Sequence, residues 1–142
     1  MSGLLKFSEA AVLALHALVY IAAKEGETVT NTEIAEFLHA SENHLSKVLQ
    51  RLSKAGFVTS VRGPKGGFAL GRNGGSIKLR EIYELFEGPM NPNACLLQTP
   101  VCTEGCVFGG LLANMNTLFI DFMTRTTIND ASRTIGKETG VK

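Results

Sequence analysis

Residues 38–72 read LHASENHLSKVLQRLSKAGFVTSVRGPKGGFALGR, and the spacing of their apolar residues changes once, near Gly56. Before Gly56, Leu45, Val48, Leu49 and Leu52 recur at helical spacing behind Ser41, a side chain suited to capping a helix N-terminus. The opposite face of that helix presents Asn43, His44, Ser46, Lys47, Gln50, Arg51 and Lys54. After Gly56, FVTSV reads as a strand, RGPKGG as a turn and FALGR as a returning strand. Upstream, Thr30 and Glu33 have the T-x-x-E spacing of a capping box, opening a short helix in which Ile34, Ala35, Phe37 and Leu38 share a face. Two short helices, a tight turn and a hairpin follow the order of a winged helix-turn-helix. There the second helix enters the major groove and the wing lies beside it.

Charge supports the same reading. Of the 142 residues, 41–80 hold eight basic side chains (Lys47, Arg51, Lys54, Arg62, Lys65, Arg72, Lys78 and Arg80) against one acid, Glu42. The formal net charge of the whole chain is only +1, so the basic block is local. That is the footprint of a phosphate-backbone binder. Arg62 and Lys65 fall at the wing tip, where a long Arg can enter the negative potential of a narrow minor groove. The competing reading is a solvated basic face on helices and a hairpin that merely pack together. No phosphate-cradling loop and no Ser/His/Asp set is present, so the sequence predicts a binding protein and not an enzyme.

The flanking segments complete a mostly α fold with one small β-hairpin. Ser8 is positioned to cap a first helix running to about Lys24, apolar almost all round and therefore expected to be buried. SIKLREIYELFEG (76–88) reads as a short helix with Ile82, Leu85 and Phe86 inward. From about Cys106 to about Thr124, Phe108, Leu111, Leu112, Met115, Leu118, Phe119 and Phe122 recur at helical spacing. An apolar stripe beyond a complete winged helix needs a further surface, and the same helix of a second copy would supply one in a two-fold dimer. Such a dimer presents two reading helices about one DNA turn apart, matching a pseudo-palindromic operator in double-stranded DNA. The expected division is a winged helix-turn-helix domain at 1–90, a cysteine loop at 91–108, a long dimerisation helix at 106–130 and a tail at 131–142. No apolar run is long enough to span a bilayer, and Glu9 and His16 sit badly in a signal-peptide core, so a cytoplasmic location is expected.

All three cysteines, Cys95, Cys102 and Cys106, lie in NACLLQTPVCTEGCVFGG (93–110). An odd count argues against a secreted disulfide framework. Three clustered thiols fit an iron–sulfur cluster, a zinc site or thiol redox chemistry. A structural zinc site usually closes with four ligands at paired C-x₂₋₄-C spacing, which only Cys102 and Cys106 approach. Three Cys ligands leave a cluster in need of a fourth, or with an open position, and lability of that kind suits a sensor.

Several strings together resemble one family. LHASENHLSKVLQRLSKAGFVTSVRGPKGGFALGR, and within it the pattern VxSVRGPxGGFxL, resembles the DNA-binding segment of the Rrf-two (BadM/IscR/NsrR-like) transcriptional regulators. LKFSEAAVLALHALVYIA (5–22), the cysteine loop and FMTRTTINDA (122–131) fall where that family has equivalents, so the likeness covers nearly the whole chain. The resemblance implies major-groove readers at Asn43, His44, Ser46 and Lys47, with Arg62 in the minor groove and Lys47, Arg51 and Lys65 near phosphates. It also implies an iron–sulfur cluster ([2Fe-2S] or [4Fe-4S]) held by Cys95, Cys102 and Cys106 and sensing redox state, nitric oxide or cluster status. IscR-like members take a fourth ligand from a His three residues after the last Cys, where this chain has Gly109. NsrR-like members take it from an acid near the start of the other subunit's first helix, a position matching Glu9; an acid there also suits the helix dipole. The usual five-residue gaps between cysteines are here six and three. A two-Cys set from Cys102 and Cys106 completed by Glu9 and His16 is the alternative ligand arrangement, and a thiol-only or zinc-bearing regulator the alternative protein.

Overall fold

The computed structural model describes residues 7–91 and 95–135. Residues 1–6, residues 92–94 of the expected cysteine loop and residues 136–142 of the expected tail lie outside the described residues. The chain folds as α1 (Glu9–Ala23), α2 (Asn31–Leu38), α3 (Glu42–Lys54), β1 (Val58–Val61), β2 (Gly67–Leu70), α4 (Leu79–Glu87), α5 (Leu111–Arg125) and α6 (Ile128–Ser132), with a 3₁₀ turn at Gly74–Ser76 before α4.

The helix starts are built by their own side chains. Ser8 accepts from the Ala11 N–H, Thr30 from Glu33 and Ser41 from His44, each filling a donor that the first turn leaves unpaired. The capping box at Thr30 is complete, because Glu33 accepts the Thr30 N–H in return at 2.8 Å. His39 ends α2 in the left-handed region at φ 53°, which makes the turn into α3 tight.

One core gathers α1, α2, α3, the hairpin and α4. Leu18, Ile34, Leu45, Leu49, Leu52, Ile77, Ile82 and Ile128 are fully buried within it. β1 and β2 pair antiparallel with Val58 opposite Leu70. Val29 adds a bridge to Phe68 on the outer side of β2, through N–H···O bonds of 2.9 and 2.7 Å. The approach is so close that a Cβ on Gly67 would lie 2.6 Å from the Val29 carbonyl oxygen, which is why glycine stands there.

Four expectations need correction. The first helix is not buried all round: Glu9 and His16 are exposed and Val12 and Leu15 only partly covered, so one flank is open in a single chain. The helix expected from residue 76 starts at Leu79, because Asn73 caps a 3₁₀ turn first. The helix expected from Cys106 starts at Leu111, since Gly109 takes a left-handed φ of 59° and interrupts the helical path. Residues 106–130 are also not one helix. α5 stops at Arg125, and Thr127 and Asp130 form a second capping box that opens α6. α6 returns to the winged helix: Ile128 is fully buried, and the backbone bridges Lys78 to Thr127. The winged-helix domain therefore does not close at residue 90; α6 completes it.

Candidate nucleic-acid interface and cysteine loop

The expected reading surface divides into side chains held by the protein and side chains left outward. Asn43, Lys47, Arg51, Arg62 and Lys65 are exposed, while His44 and Ser46 are partly covered. None of the ion pairs among the described residues involves Lys47, Lys54, Arg62 or Lys65. Arg72 instead pairs with Glu81 at 2.7 Å and lies over the Phe57 ring, and Arg80 pairs with Glu84 at 3.2 Å. Part of the basic block thus fastens the fold, and the remainder faces solvent at α3 and the wing tip.

Arg51 belongs with the fasteners. Its Nη2 donates to the Leu85 carbonyl at 2.6 Å, and its guanidinium stacks on the Phe86 ring. The side chain stays exposed while its guanidinium is engaged with α4. The wing tip also has a tether that sequence reading missed, a Thr28 hydroxyl donating to the Lys65 carbonyl at 2.8 Å. Thr28 and Lys65 are 37 residues apart, so no local pattern announces the contact.

Glu9 lies at the first turn of α1, and its Oε1 is 3.0 Å from His44 Nδ1 on α3. Within one chain this expected cluster ligand is therefore engaged with an expected base reader. His16 is engaged within its own helix: its Nδ1 lies 2.7 Å from the Val12 carbonyl oxygen, on the exposed flank of α1. His16 lies seven positions after Glu9 in unbroken helix, about 10 Å of rise. That separation does not favour their serving one ion together.

The cysteine loop is the open part of the molecule. Cys102 and Cys106 are exposed and Cys95 is partly covered, and none of the three is in a disulfide. Cys106 Sγ accepts the Phe108 N–H at 3.4 Å. Among the described residues no three His, Cys, Asp or Glu side chains are grouped as a metal site. Around the loop, Leu96, Leu97, Val101, Val107 and Phe108 are exposed, and the row continues along α5 through Leu111, Met115, Leu118 and Phe122. The other side of α5 is held to the domain by buried Met123 and by Phe119, whose ring meets Tyr83 and Phe7 at 5.5 and 5.9 Å.

No helix among the described residues is long and apolar enough to cross a membrane. Comparison with known proteins gives one consistent picture. A family model described as Rrf2, iron-dependent transcriptional regulator, matches residues 7–134. A protein of Aquifex aeolicus (strain VF5) described as an HTH-type transcriptional regulator is 35% identical over 128 residues, spanning 87% of this chain and 89% of that protein. The structure of CymR, the global cysteine regulator of B. subtilis, is similar with a TM-score of 0.76 at 25% identity, covering 94% of this chain and 100% of that one. T. potens IscR shares the fold with a TM-score of 0.69 at 24% identity, covering 94% and 90%.

Proposed function

The chain belongs to the Rrf2 family of transcriptional regulators, and from that premise we propose that it reads an operator in duplex DNA as a homodimer and adjusts its affinity through the thiol loop. It is a regulator and not an enzyme. The observation that carries the DNA-reading part is the division of the basic block. Lys47, Arg62 and Lys65 stand exposed and outside every ion pair of the described residues, while Arg51, Arg72 and Arg80 are engaged internally. Asn43, His44 and Ser46 supply donors and acceptors for base edges, Arg62 suits the minor groove, and Lys47 and Lys65 suit phosphates that set register.

The homodimer reading is supported by the exposed row Leu111, Met115, Leu118 and Phe122, which recurs every three to four residues on one side of α5. Two copies joined along that row bury it, and they set two α3 helices for half-sites about one turn apart.

The regulatory reading rests on three thiols in one short segment between α4 and α5. Thiolate donors suit an iron–sulfur cluster, and the family model's iron-dependent description favours one. In a single chain the described donors do not assemble into such a site, and Glu9 is engaged with His44, so the regulatory step is derived from the loop itself. The loop joins α4 to α5; any chemistry that draws its thiols together changes the placement of α5, and with it the spacing of the two reading heads. To act as a switch, the two thiol states must differ by about 1–3 kcal/mol in DNA binding, or roughly 5–150-fold. A thiol-based or zinc-bearing regulator is the second reading, favoured by three cysteines outside any disulfide and by likeness to a cysteine regulator.

The test is anaerobic purification of wild type and Cys106→Ser with iron and sulfide assay, followed by operator selection from random duplexes. Iron and sulfide in proportion, lost in the variant, support a cluster. Protein without iron or sulfide after reconstitution, but with thiol-dependent affinity, leaves the second reading. On the selected operator Arg62→Ala lowers affinity about tenfold, and equal affinity at moderate salt removes Arg62 from the interface.

A further inference from the structure

The last turn of α4 is a junction. Arg51 of α3 donates to the Leu85 carbonyl at 2.6 Å, and its guanidinium lies 4.7 Å from the centre of the Phe86 ring. The last carbonyls of a helix have no partner within it and carry the negative end of its dipole, so a guanidinium there is doubly matched. In the same turn Glu84 accepts the Met90 N–H at 2.7 Å, which holds the chain where it leaves for the cysteine loop. Glu84 also accepts from Arg80 at 3.2 Å, and Arg80 donates onward to Thr124 of α5 at 3.2 Å. Glu87 accepts the Ser8 N–H at the start of α1 at 2.6 Å. Helix α3, the base of the thiol loop, α5 and the N-terminus of α1 are therefore all fastened to α4 through the side chains of Arg80, Glu84, Phe86 and Glu87 and the carbonyl of Leu85.

A phosphate-binding arginine holds its fork ready for an anion. Arg51 has one arm on a carbonyl and its guanidinium over an aromatic ring, a combination that ties α3 to α4 at two points. We propose that Arg51 is a positioning residue: it clamps the reading helix to the C-terminal turn of α4, so that displacement at the loop base is passed to α3. This rests on the DNA-reading proposal above and assigns Arg51 a role apart from contact with DNA. Lysine keeps the charge but loses both the planar stack and the fork, so it does not substitute here.

The test uses full-length protein and the operator that wild type selects from random duplexes. Affinity is measured by fluorescence anisotropy across a salt series for wild type, Arg51→Lys, Arg51→Met, Phe86→Leu and Lys47→Ala, with thermal melts as a check of folding. Arg51→Lys, Arg51→Met and Phe86→Leu are each expected to lose about tenfold in affinity with no change in the slope of log Kd against log salt. Lys47→Ala, losing a phosphate contact, is expected to lower that slope by about 0.9. Phe86→Leu changes no charge, so it tests the clamp even if Arg51→Met fails to fold. The proposal is overturned if Arg51→Met lowers the slope as Lys47→Ala does and Arg51→Lys restores it, or if Phe86→Leu binds like wild type. A wild type that selects no sequence overturns the DNA reading itself and the clamp with it, an outcome distinct from a slope change confined to Arg51.

Discussion

Between Ser8 and Glu87 the chain satisfies itself. Ser8, Thr30 and Ser41 each cap the helix they precede, α1 to α4 share one core, and several arginines are bound to carbonyls, carboxylates or rings of neighbouring helices. Between Leu96 and Phe122 the same kinds of residue are left outward: α5 starts after Gly110, which offers no side-chain cap, and Leu96, Val101, Val107, Leu111, Leu118 and Phe122 are each more than half exposed. The contrast shows which region is packed within one chain, with α6 closing its core. A reading head must present fixed side chains to DNA, so it is packed within one chain. The loop and α5 leave apolar surface and thiols exposed, the surface and the chemistry on which the proposed dimer and switch rest.

Substitutions can break this comparison at different depths. Leu49→Ala removes a fully buried side chain and is expected to cost about 2–5 kcal/mol in urea unfolding; a loss below 1 kcal/mol would mean the core is looser than its burial implies. Leu118→Glu, on the open face of α5, leaves the fold intact by circular dichroism but gives a monomer in sedimentation. Losing the second reading head then lowers operator affinity about 100-fold or more; a dimer that persists would move the interface elsewhere. Thr28→Val removes the wing tether and is expected to cost about 0.5–1.5 kcal/mol. Its signature is a weaker Arg62 contribution, read as a smaller effect of Arg62→Ala in the Thr28→Val background.

The smallest effect is a dependence on acid. The Met90 N–H, and after it Arg80, hold the Glu84 carboxyl below its ordinary value of 4.5. A carboxylate lowered in the folded state stabilises the fold above its ordinary range, and that contribution is lost as pH falls through the lowered value. Thermal midpoints measured from about pH 7 to about pH 3 should therefore fall less steeply for Glu84→Gln than for wild type. Parallel curves would remove Glu84 from the junction at the loop base.

Much of the reading head was legible in the linear pattern. Ser41, Leu45, Val48, Leu49 and Leu52 declare α3 through contacts three and four residues apart, and Thr30 and Glu33 declare the start of α2 in the same way. Local hydrogen bonds and helical periodicity leave a local signature. The role of Arg51 left none, because Leu85 and Phe86 lie more than thirty residues away and its position on α3 reads equally well as outward. Glu9 has the same history: its carboxylate meets His44, 35 residues along the chain.

The sequence by itself determined α2, α3, the hairpin, the basic block and the grouping of the thiols, since each depends on neighbours within a few positions. Only the tertiary structure decided which basic side chains stay outside ion pairs, that α6 closes the winged-helix domain, and that α4 is the place where α3, the loop base and α5 meet. Those outcomes depend on distances between residues far apart in the chain, and such distances exist only once the core that brings them together has formed.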